Sequence, residues 1–288
     1  MTVNMLKKWM LYSAAALALF TATGCDMDDD DDDRLTYVPS GVEETFRAMY
    51  PRATSVRWSD RSGYIVADFR EDGTAAQAWF LPAGEWHMTD TDIRYAELPQ
   101  AVRTAFETSD YASWRVDDVD LLSRRGLETV YSIEVERGES EYELLYAEDG
   151  ILLSALPDTD GGDHADMLPS NLPQGVQSYL SQHYPDARVV DTEFERGVYE
   201  VEIVDGRTVR ELLFDADGNW LETRTEVRVN SLPAAVLDAV RTSQYGSWQI
   251  EDADLVQTPD GEWYEVELEE PRTDREARLR VRADGTIL

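Results

Sequence analysis

The sequence predicts an α+β protein built from tandem repeats, each with one helix followed by about four antiparallel strands. Residues 98–121 and 232–255 share 13 identities in 24 positions at an offset of 134 residues. Residues 38–53 and 172–187 share six identities in 16 positions at the same offset. Within each repeat a helical hydrophobic period gives way to strand-like alternation. A pair of short units has therefore been duplicated.

A helix is predicted at the start of every unit. The units open with prolines spaced by 60, 74 and 60 residues, at Pro39, Pro99, Pro173 and Pro233. Proline suits the first turn of a helix because its missing N–H would have no partner there. After Pro99, apolar residues recur at helical spacing at Val102, Ala105 and Phe106.

Antiparallel strands are predicted after each helix. Alternating apolar and polar residues mark the second strand of each unit, at 64–69, 130–135, 198–203 and 263–268. Asp-Gly pairs, which favour tight hairpin turns, separate strands at 149–150, 205–206, 217–218 and 284–285. Helices packed on one face of such a sheet give an α+β fold.

Two domains of two repeats each are predicted, at 35–156 and 168–288. The segment between them, 157–167, contains two glycines and four aspartates and has no apolar period. Such a composition is typical of a flexible linker.

The N-terminus predicts an exported lipoprotein. Lys7 and Lys8 precede an apolar run of 14 residues, which is the length of a signal peptide rather than of a membrane span. The run ends before Thr-Gly-Cys25, which resembles a bacterial lipobox with Cys25 as the lipidated residue. We therefore expect a signal peptide over 1–24 and an acidic tether over 25–34. An ordinary signal peptide that leaves a free thiol is the alternative.

The acidic run Asp26–Asp33, interrupted by Met27, also resembles a surface-export signal of lipoproteins in some Gram-negative lineages. This resemblance implies an outer-membrane lipoprotein at the cell surface. The periplasmic face of the same membrane is the alternative location. Either location makes the membrane a partner through the anchor on Cys25.

The charge balance restricts the possible partners. The chain has 26 basic and 59 acidic residues, a net charge of −33; loss of Lys7 and Lys8 with the signal peptide leaves 24 against 59, or −35. Such a surface repels nucleic acid and favours cations or basic partners. Solubility alone is the simpler explanation.

The repeats resemble a known family of secreted bacterial proteins, the PepSY-like, β-lactamase-inhibitor-like family. The resemblance depends on the Leu-Pro helix start, the Tyr-Pro pairs at 50–51 and 184–185, and the Tyr-x-Val-x-hydrophobic strand. It implies that paired units form one curved antiparallel sheet with the helices on one face. It also implies binding or inhibitor-like scaffolds, and it supplies no catalytic residues.

No metal site is predicted, although acidic clusters occur. Asp118 and Asp120 are expected on the solvated face of a strand, with Val119 and Leu121 on the opposite face. A calcium ion needs six or more converging oxygens, which one strand seldom provides. The motif Asp215-x-Asp217-x-Asn219 is interpreted as a turn, with weak Ca²⁺ binding as the alternative.

Enzymatic activity is not predicted. The three histidines, His87, His164 and His183, show no metal-ligand spacing, and no G-x-S-x-G, H-E-x-x-H or phosphate-binding glycine loop is present. We therefore expect neither catalytic residues nor a cofactor.

A sheet face is the predicted binding surface. Alternation directs five apolar or aromatic side chains away from the helices, and these candidates are Tyr64, Trp79, Leu145, Leu213 and Trp263. Aromatic side chains anchor ligands and acids steer basic ones, so a basic or amphipathic protein or peptide is the expected partner. The alternatives are that this face is merely solvated, or that the other domain covers it.

The leading hypothesis is therefore a lipid-anchored, non-enzymatic protein or peptide-binding module. An inhibitor of a hydrolase or peptidase is a second hypothesis, which the family resemblance alone suggests. A cation-binding envelope protein is a third, which the net charge suggests.

Overall fold

The computed structural model describes residues 35–158, 164–271, 273 and 275–288. The predicted signal peptide and the whole predicted acidic tether, including Cys25, lie outside these residues, as does the middle of the predicted linker. Among the described residues no helix combines the length and the apolar character that crossing a bilayer requires.

The described chain forms two modules, each with an antiparallel meander and two helices. The elements of the first module are α1 (Ser40–Met49), β1 (Thr54–Arg61), β2 (Tyr64–Glu71), β3 (Thr74–Phe80), β4 (Trp86–Asp92), α2 (Gln100–Glu107), β5 (Arg115–Arg124), β6 (Val130–Arg137), β7 (Ser140–Ala147) and β8 (Leu152–Pro157). Those of the second are α3 (Gln174–His183), β9 (Arg188–Glu195), β10 (Val198–Asp205), β11 (Thr208–Asp215), β12 (Trp220–Glu226), α4 (Ala234–Thr242), β13 (Gln249–Thr258), β14 (Gly261–Glu269) and β15 (Glu276–Val281).

The predicted α+β fold of repeated units is confirmed. Strands β1 to β8 form one sheet in sequence order, and β9 to β15 form a second sheet in sequence order. Neighbouring strands in both sheets are antiparallel. The last unit departs from the predicted four strands, because a single bridge from Val281 to Ile287 stands in place of the last strand.

The prolines lie one residue before each helix. Pro39, Pro99, Pro173 and Pro233 are the N-cap residues, with φ between −52° and −58°. Their carbonyl groups accept hydrogen bonds from the first turn of the helix, as in the bond from the N–H of Arg103 to Pro99 O. The N-cap accepts the first helical bond and needs no donor of its own, so proline fits.

Each helix packs on one face of its sheet and forms one apolar core per unit. Val102 and Phe106 of α2 are buried against Ile133 and Leu144, and Val236 and Val240 of α4 pack in the same way against β13 and β14. Comparable cores lie beneath α1 and α3. The helical apolar stripe therefore faces the sheet, as its spacing predicts.

Tight turns bring the sheet against the first turn of α2 and of α4. Gly150 and Gly285 have φ values of +82° and +90°, where side chains with a Cβ are strained. A Cβ on Gly150 would lie 2.6 Å from Ala101 O, and one on Gly285 would lie 2.9 Å from Ala235 O. Glycine is therefore required at both turns by conformation and by space.

The opposite sheet face, which we call the helix-free face, is covered in the first module. A fifth apolar cluster lies there and combines Val66, Met88 and Leu122 of the first module with Val190 and Val204 of the second. The two modules therefore share one core, in addition to the four cores beneath the helices.

The end of the predicted flexible linker is folded. Residues His164–Met167 form a 3₁₀ helix, and both His164 and Met167 are buried, Met167 in the shared core. The prediction of a flexible joint is therefore wrong for this part. Composition indicated a loop, but it could not show that two side chains of that loop are inserted into the sheet face.

Candidate functional site

Two of the predicted binding residues are not available to a partner. Trp79 is 1% exposed and Leu145 is 8% exposed, and Tyr64 packs half-buried against the same shared core. Alternation assigned these side chains to the correct sheet face. The prediction that they are exposed is wrong for Trp79 and Leu145, because the second module and Met167 cover that face.

The other two predicted residues lie apart, on the sheet of the second module. Leu213 and Trp263 are half-buried, and the guanidinium of Arg280 lies 5.5 Å from the ring centre of Trp263. The structure therefore brings Tyr64, Trp79 and Leu145 together and leaves Leu213 and Trp263 outside that group.

Arginine contacts join the two modules. Arg124 of β5, whose side chain is fully buried, donates to Asp191 Oδ1 at 3.0 Å and to the carbonyl oxygen of Val190. Arg188 of β9 donates to Glu128 Oε1 at 2.6 Å and to Asp149 Oδ2 at 2.8 Å. Charge-assisted hydrogen bonds from arginine are directional, so these bonds fix the orientation of the strands that they join.

An acidic cleft opens beside this junction. Nine of its described lining residues carry carboxylates and one, Arg224, carries a guanidinium. The carboxylates belong to Glu143, Asp166, Asp191, Glu200, Glu202, Glu211, Glu226, Asp252 and Asp254. Leu156, Met167 and Val209 add an apolar side to the cleft. We call this surface the acidic cleft.

The register of the second sheet forces like charges together in the cleft. Glu202 lies directly opposite Asp191 on one side and Glu211 on the other. Glu226 lies opposite Asp254, which in turn lies opposite Glu265. Like charges in directly opposed positions destabilise a sheet. The strands that line the cleft therefore bring more carboxyl groups than arginine side chains into it.

The pKa values reflect this crowding. Burial, followed by repulsion from Glu200, raises the pKa of Glu211 to about 8. Burial and the neighbouring Asp252 raise the pKa values of Glu226 and Asp254 to about 7. Raised carboxyl pKa values mean that a proton or another cation is favoured at these positions.

Arg224 balances part of this charge from within the second sheet. Its guanidinium lies 2.5 Å from Glu222 Oε1, 3.2 Å from Glu265 Oε1 and 3.9 Å from Asp254 Oδ2. Arg280 adds a second contact to Glu265 at 2.8 Å. These two arginines therefore compensate the acids near β14 and β15, while Arg124 of the first module compensates Asp191 on β9.

A second polar cluster is buried in the first module. His164, which is 4% exposed, donates from Nδ1 to Asp90 Oδ2 at 2.8 Å and from Nε2 to Glu143 Oε1 at 2.9 Å. Ser132 donates to the same oxygen of Glu143 at 2.8 Å. Asp120 of β5 completes the cluster and is 7% exposed. The expectation that Asp120 faces solvent is therefore wrong.

His164 is an imidazolium in this setting. Burial alone would lower its pKa, but the hydrogen bonds to Asp90 and Glu143 outweigh burial and raise the pKa to about 11. Both ring nitrogens donate, which only the charged ring can do. Burial and the adjacent Asp90 carboxylate raise the pKa of Asp120 to about 9.

Asp90 and Arg224 occupy corresponding positions in the two modules. They lie 134 residues apart, on β4 and β12, at the offset of the duplication. The second module thus supplies a cation from its own strand, and the first receives one from the linker. The sequence-based prediction placed His164 in a flexible loop and did not identify it as the counter-charge of Asp90. The sequence does show that an aspartate at position 90 corresponds to an arginine at position 224, at the repeat offset.

A family model matches most of the chain. Residues 63–154, 162–209 and 197–288 match the family described as "Putative beta-lactamase-inhibitor-like, PepSY-like". None of the curated proteins matched the chain.

Several solved structures are similar to parts of the chain. A BLIP-like protein from Bacteroides fragilis NCTC 9343 is 32% identical, with 51% of this chain and 99% of that chain covered and a TM-score of 0.43. A DUF2874 family protein from Bacteroides ovatus ATCC 8483 is 34% identical, with 45% and 94% covered and a TM-score of 0.42. A protein from Bacteroides eggerthii DSM 20697, described as a "putative periplasmic" protein, is 31% identical, with 42% and 89% covered and a TM-score of 0.40. With its family matches extending over both modules, the chain belongs to the PepSY-like, β-lactamase-inhibitor-like family.

Proposed function

We propose that this protein is a non-enzymatic binding module that takes a basic or amphipathic protein or peptide into the acidic cleft. The observation that carries the proposal is the lining itself, which holds nine carboxyl side chains and one arginine. Two of these carboxyl groups, on Asp191 and Glu143, already contact Arg124 and His164. The proposal moves the predicted binding surface away from Trp79 to a cleft that β7 and β8 of the first module form with the helix-free face of the second. Leu145 lines this cleft, although it is only 8% exposed.

Electrostatics favours a cationic ligand strongly at this position. The side chains of Glu202, Glu211 and Glu226 are half-buried, so water screens them less than it screens fully exposed acids. A lysine or arginine placed between opposed carboxylates relieves their mutual repulsion in addition to forming its own ion pairs. The repulsion in the free protein therefore becomes a source of affinity.

The apolar side of the cleft favours an amphipathic ligand over a simple polyamine. Leu156 and Val209 line the cleft and are half-buried, so their remaining exposed surface can contact apolar side chains. A peptide with basic residues on one side and apolar residues on the other matches both surfaces. Nucleic acid does not, because its phosphates would face the carboxylates.

We also propose that the protein is anchored in the outer membrane by a lipid on Cys25 and faces the cell exterior. The motif before Cys25 and the acidic run after it support this location. Leu35 lies ten positions after Cys25, so the tether reaches at most about 35 Å when fully extended. The first module would then lie close to the membrane surface.

Binding is tested with a fluorescent arginine-containing amphipathic peptide, at a pH above the pKa values of the cleft. The variant E211Q/E226Q removes two cleft charges, and E43Q/E44Q on α1 removes two charges elsewhere. Both double variants have the same net charge. We expect about a tenfold loss of affinity for E211Q/E226Q, equivalent to about 1.4 kcal/mol, and little change for E43Q/E44Q. Equal losses in both would show non-specific attraction and contradict the proposal.

Anchoring is tested separately by protease treatment of intact cells and by the variant C25S. Digestion of the wild-type protein from outside, together with release of C25S from the membrane fraction, is the expected result. Protection of the wild-type protein from protease would contradict the surface location, and membrane retention of C25S would contradict the lipid anchor.

A further inference from the structure

The buried cluster in the first module has the composition of a metal site. Asp90 on β4, Asp120 on β5 and His164 of the 3₁₀ helix each offer one ligand atom, and these atoms lie within 4.8 Å of one another. We propose that these three residues bind one divalent transition-metal ion, with Zn²⁺ as the ion that fits the donor set best. No metal site was predicted from the sequence, because Asp120 was expected on the solvated face of one strand and the histidines show no metal-ligand spacing.

The donor set favours zinc over calcium or magnesium. One imidazole nitrogen and two carboxylate oxygens are ordinary zinc ligands, and three protein ligands leave a position for water. Calcium takes six to eight oxygen ligands and magnesium an octahedron of oxygens, which a site containing an imidazole does not supply. The acidic residues alone would be no more than an acidic patch, so His164 is decisive.

Glu143 orients His164 for metal binding. Its Oε1 atom accepts the Nε2 hydrogen of His164 at 2.9 Å and is itself held by Ser132 at 2.8 Å. Metal-bound histidines commonly donate their second N–H to a carboxylate in this way, which fixes the tautomer and directs the other nitrogen at the ion. Here the other nitrogen is Nδ1, which faces Asp90.

The buried carboxyl groups of Asp90 and Asp120 lie against each other. Asp90 Oδ1 has no hydrogen bond of regular geometry among the described residues, and the carboxyl group of Asp120 can donate to Asp90 when it is protonated. Two adjacent buried carboxyl groups repel each other once both are ionised. A metal ion between them would take the place of the proton that Asp120 holds.

Metal binding would release protons from the site. Zn²⁺ binds imidazole and carboxylate groups in their deprotonated forms. The pKa values of His164 and Asp120 are raised to about 11 and about 9, so the ion would displace the Nδ1 proton of His164 and the proton of Asp120 near neutral pH.

The ion can reach the site from an open groove. Asp90 and Asp120 line a groove of about 670 Å³ on the helix-free face, together with Asp68, Gln77 and Asp92. Water from this groove can occupy the remaining coordination position. Binding would also tie the linker to β4 and β5, three residues from Met167 in the shared core.

The test is a titration of the purified protein with Zn²⁺ near neutral pH, followed by calorimetry and by thermal unfolding. We expect one ion per chain, release of about two protons per ion, and a melting temperature that rises with zinc concentration. The variants D120N and H164Q should lose this binding. The control D254N, which removes the corresponding acid of the second module, should retain it. Ca²⁺ at equal concentration should give no comparable shift.

Cobalt provides a readout that does not depend on stability. Co²⁺ bound to the wild-type protein should show d–d absorption characteristic of nitrogen and oxygen ligands, which H164Q should lose even where it remains folded. Binding in D120N and H164Q equal to wild type would overturn the proposal. So would a thermal shift by Ca²⁺ equal to that by Zn²⁺, because an acidic patch would then account for it.

Discussion

The helix-free faces of the two modules have the same strand order but opposite means of balancing charge. In the second module Arg224, on the sheet itself, contacts Glu222 and Glu265. In the first module the corresponding residue is Asp90, and the positive charge comes from His164 of the linker. Neighbouring chain segments cover the first face around Trp79 and leave a groove beside Asp90 and Asp120, whereas the second face borders the acidic cleft.

After the duplication, the two modules remained alike on the side of the sheet that packs against the helices. They differ in charge and burial on the helix-free side. Beneath the helices the cores remain alike, with Val102 and Phe106 in one module matched by Val236 and Val240 in the other. Packing against a helix restricts residue size and shape. The helix-free faces are covered by different chain segments, and their charge and burial differ between the modules.

The largest expected effect comes from the shared core. W79A removes a side chain that is 1% exposed, so we expect a loss of about 3–5 kcal/mol in the free energy of unfolding. W263A removes an equally large but half-buried side chain from the face of the second module and should cost less. Urea denaturation of both variants measures the difference. Equal losses would contradict the closed state of the first face.

Removing the linker cation should have the next largest effect. H164Q leaves the buried carboxylates of Asp90 and Glu143 without a counter-charge, at a cost of about 3 kcal/mol. Because folding raises the pKa of His164 from 6.5 to about 11, its contribution is complete below about pH 6.5 and is lost as pH rises through about 11.

The corresponding change in the second module should be milder. R224Q removes the Arg224 contacts, but Arg280 still binds Glu265 at 2.8 Å. Urea denaturation between pH 6 and pH 10 compares the two variants. A cost for H164Q that does not decrease with rising pH would contradict the imidazolium assignment.

Glycine substitutions at the turns that contact α2 and α4 should lower the stability of the protein by similar amounts. G150A and G285A each force a Cβ into a turn with positive φ, near Ala101 O and Ala235 O respectively. We expect a loss of about 2 kcal/mol for each, from backbone strain and from the close contact. G126A, where nothing lies within 4 Å, is the control for strain alone. Thermal unfolding gives the comparison, and a large difference between G150A and G285A would break the proposed equivalence.

The smallest expected effect is a stabilisation. The pKa of Glu211 is raised from 4.5 to about 8, so the folded state holds a proton that the unfolded state has lost. Wild-type stability should therefore fall as pH rises from about 4.5 to about 8, and E211Q should remove that fall. We expect E211Q to be more stable than wild type by about 1 kcal/mol at pH 9, and E44Q on α1 to show no such gain. A destabilised E211Q at pH 9 would contradict repulsion in the acidic cleft.

Local pattern predicted most of the fold. The repeat offset, the prolines and the alternation located the four helices and most of the strands, because these features depend on neighbours within one unit. Alternation also assigned Trp79 and Leu145 to the correct side of the sheet. The single bridge that replaces the fourth strand of the last unit was not predicted, although only three residues follow Asp284-Gly285 in the sequence.

The candidate sites depended on contacts that no local pattern contains. Burial of Trp79 arises from Val190 and Val204, more than a hundred residues later in the chain. The insertion of His164 depends on two carboxylates on β4 and β7 that fix its ring. Alternation indicates which face a side chain occupies, but not what covers that face.

The most direct test of this account is an NMR titration of the imidazole groups of the metal-free protein. The chain has three histidines, His87, His164 and His183, so that assignment by single substitution is practical. The account predicts that His164 keeps both ring N–H protons from pH 5 to pH 9, in slow exchange with water. Titration of His164 near the ordinary value of about 6.5 would contradict it, because the linker would then lie free of the sheet and the first face would be open.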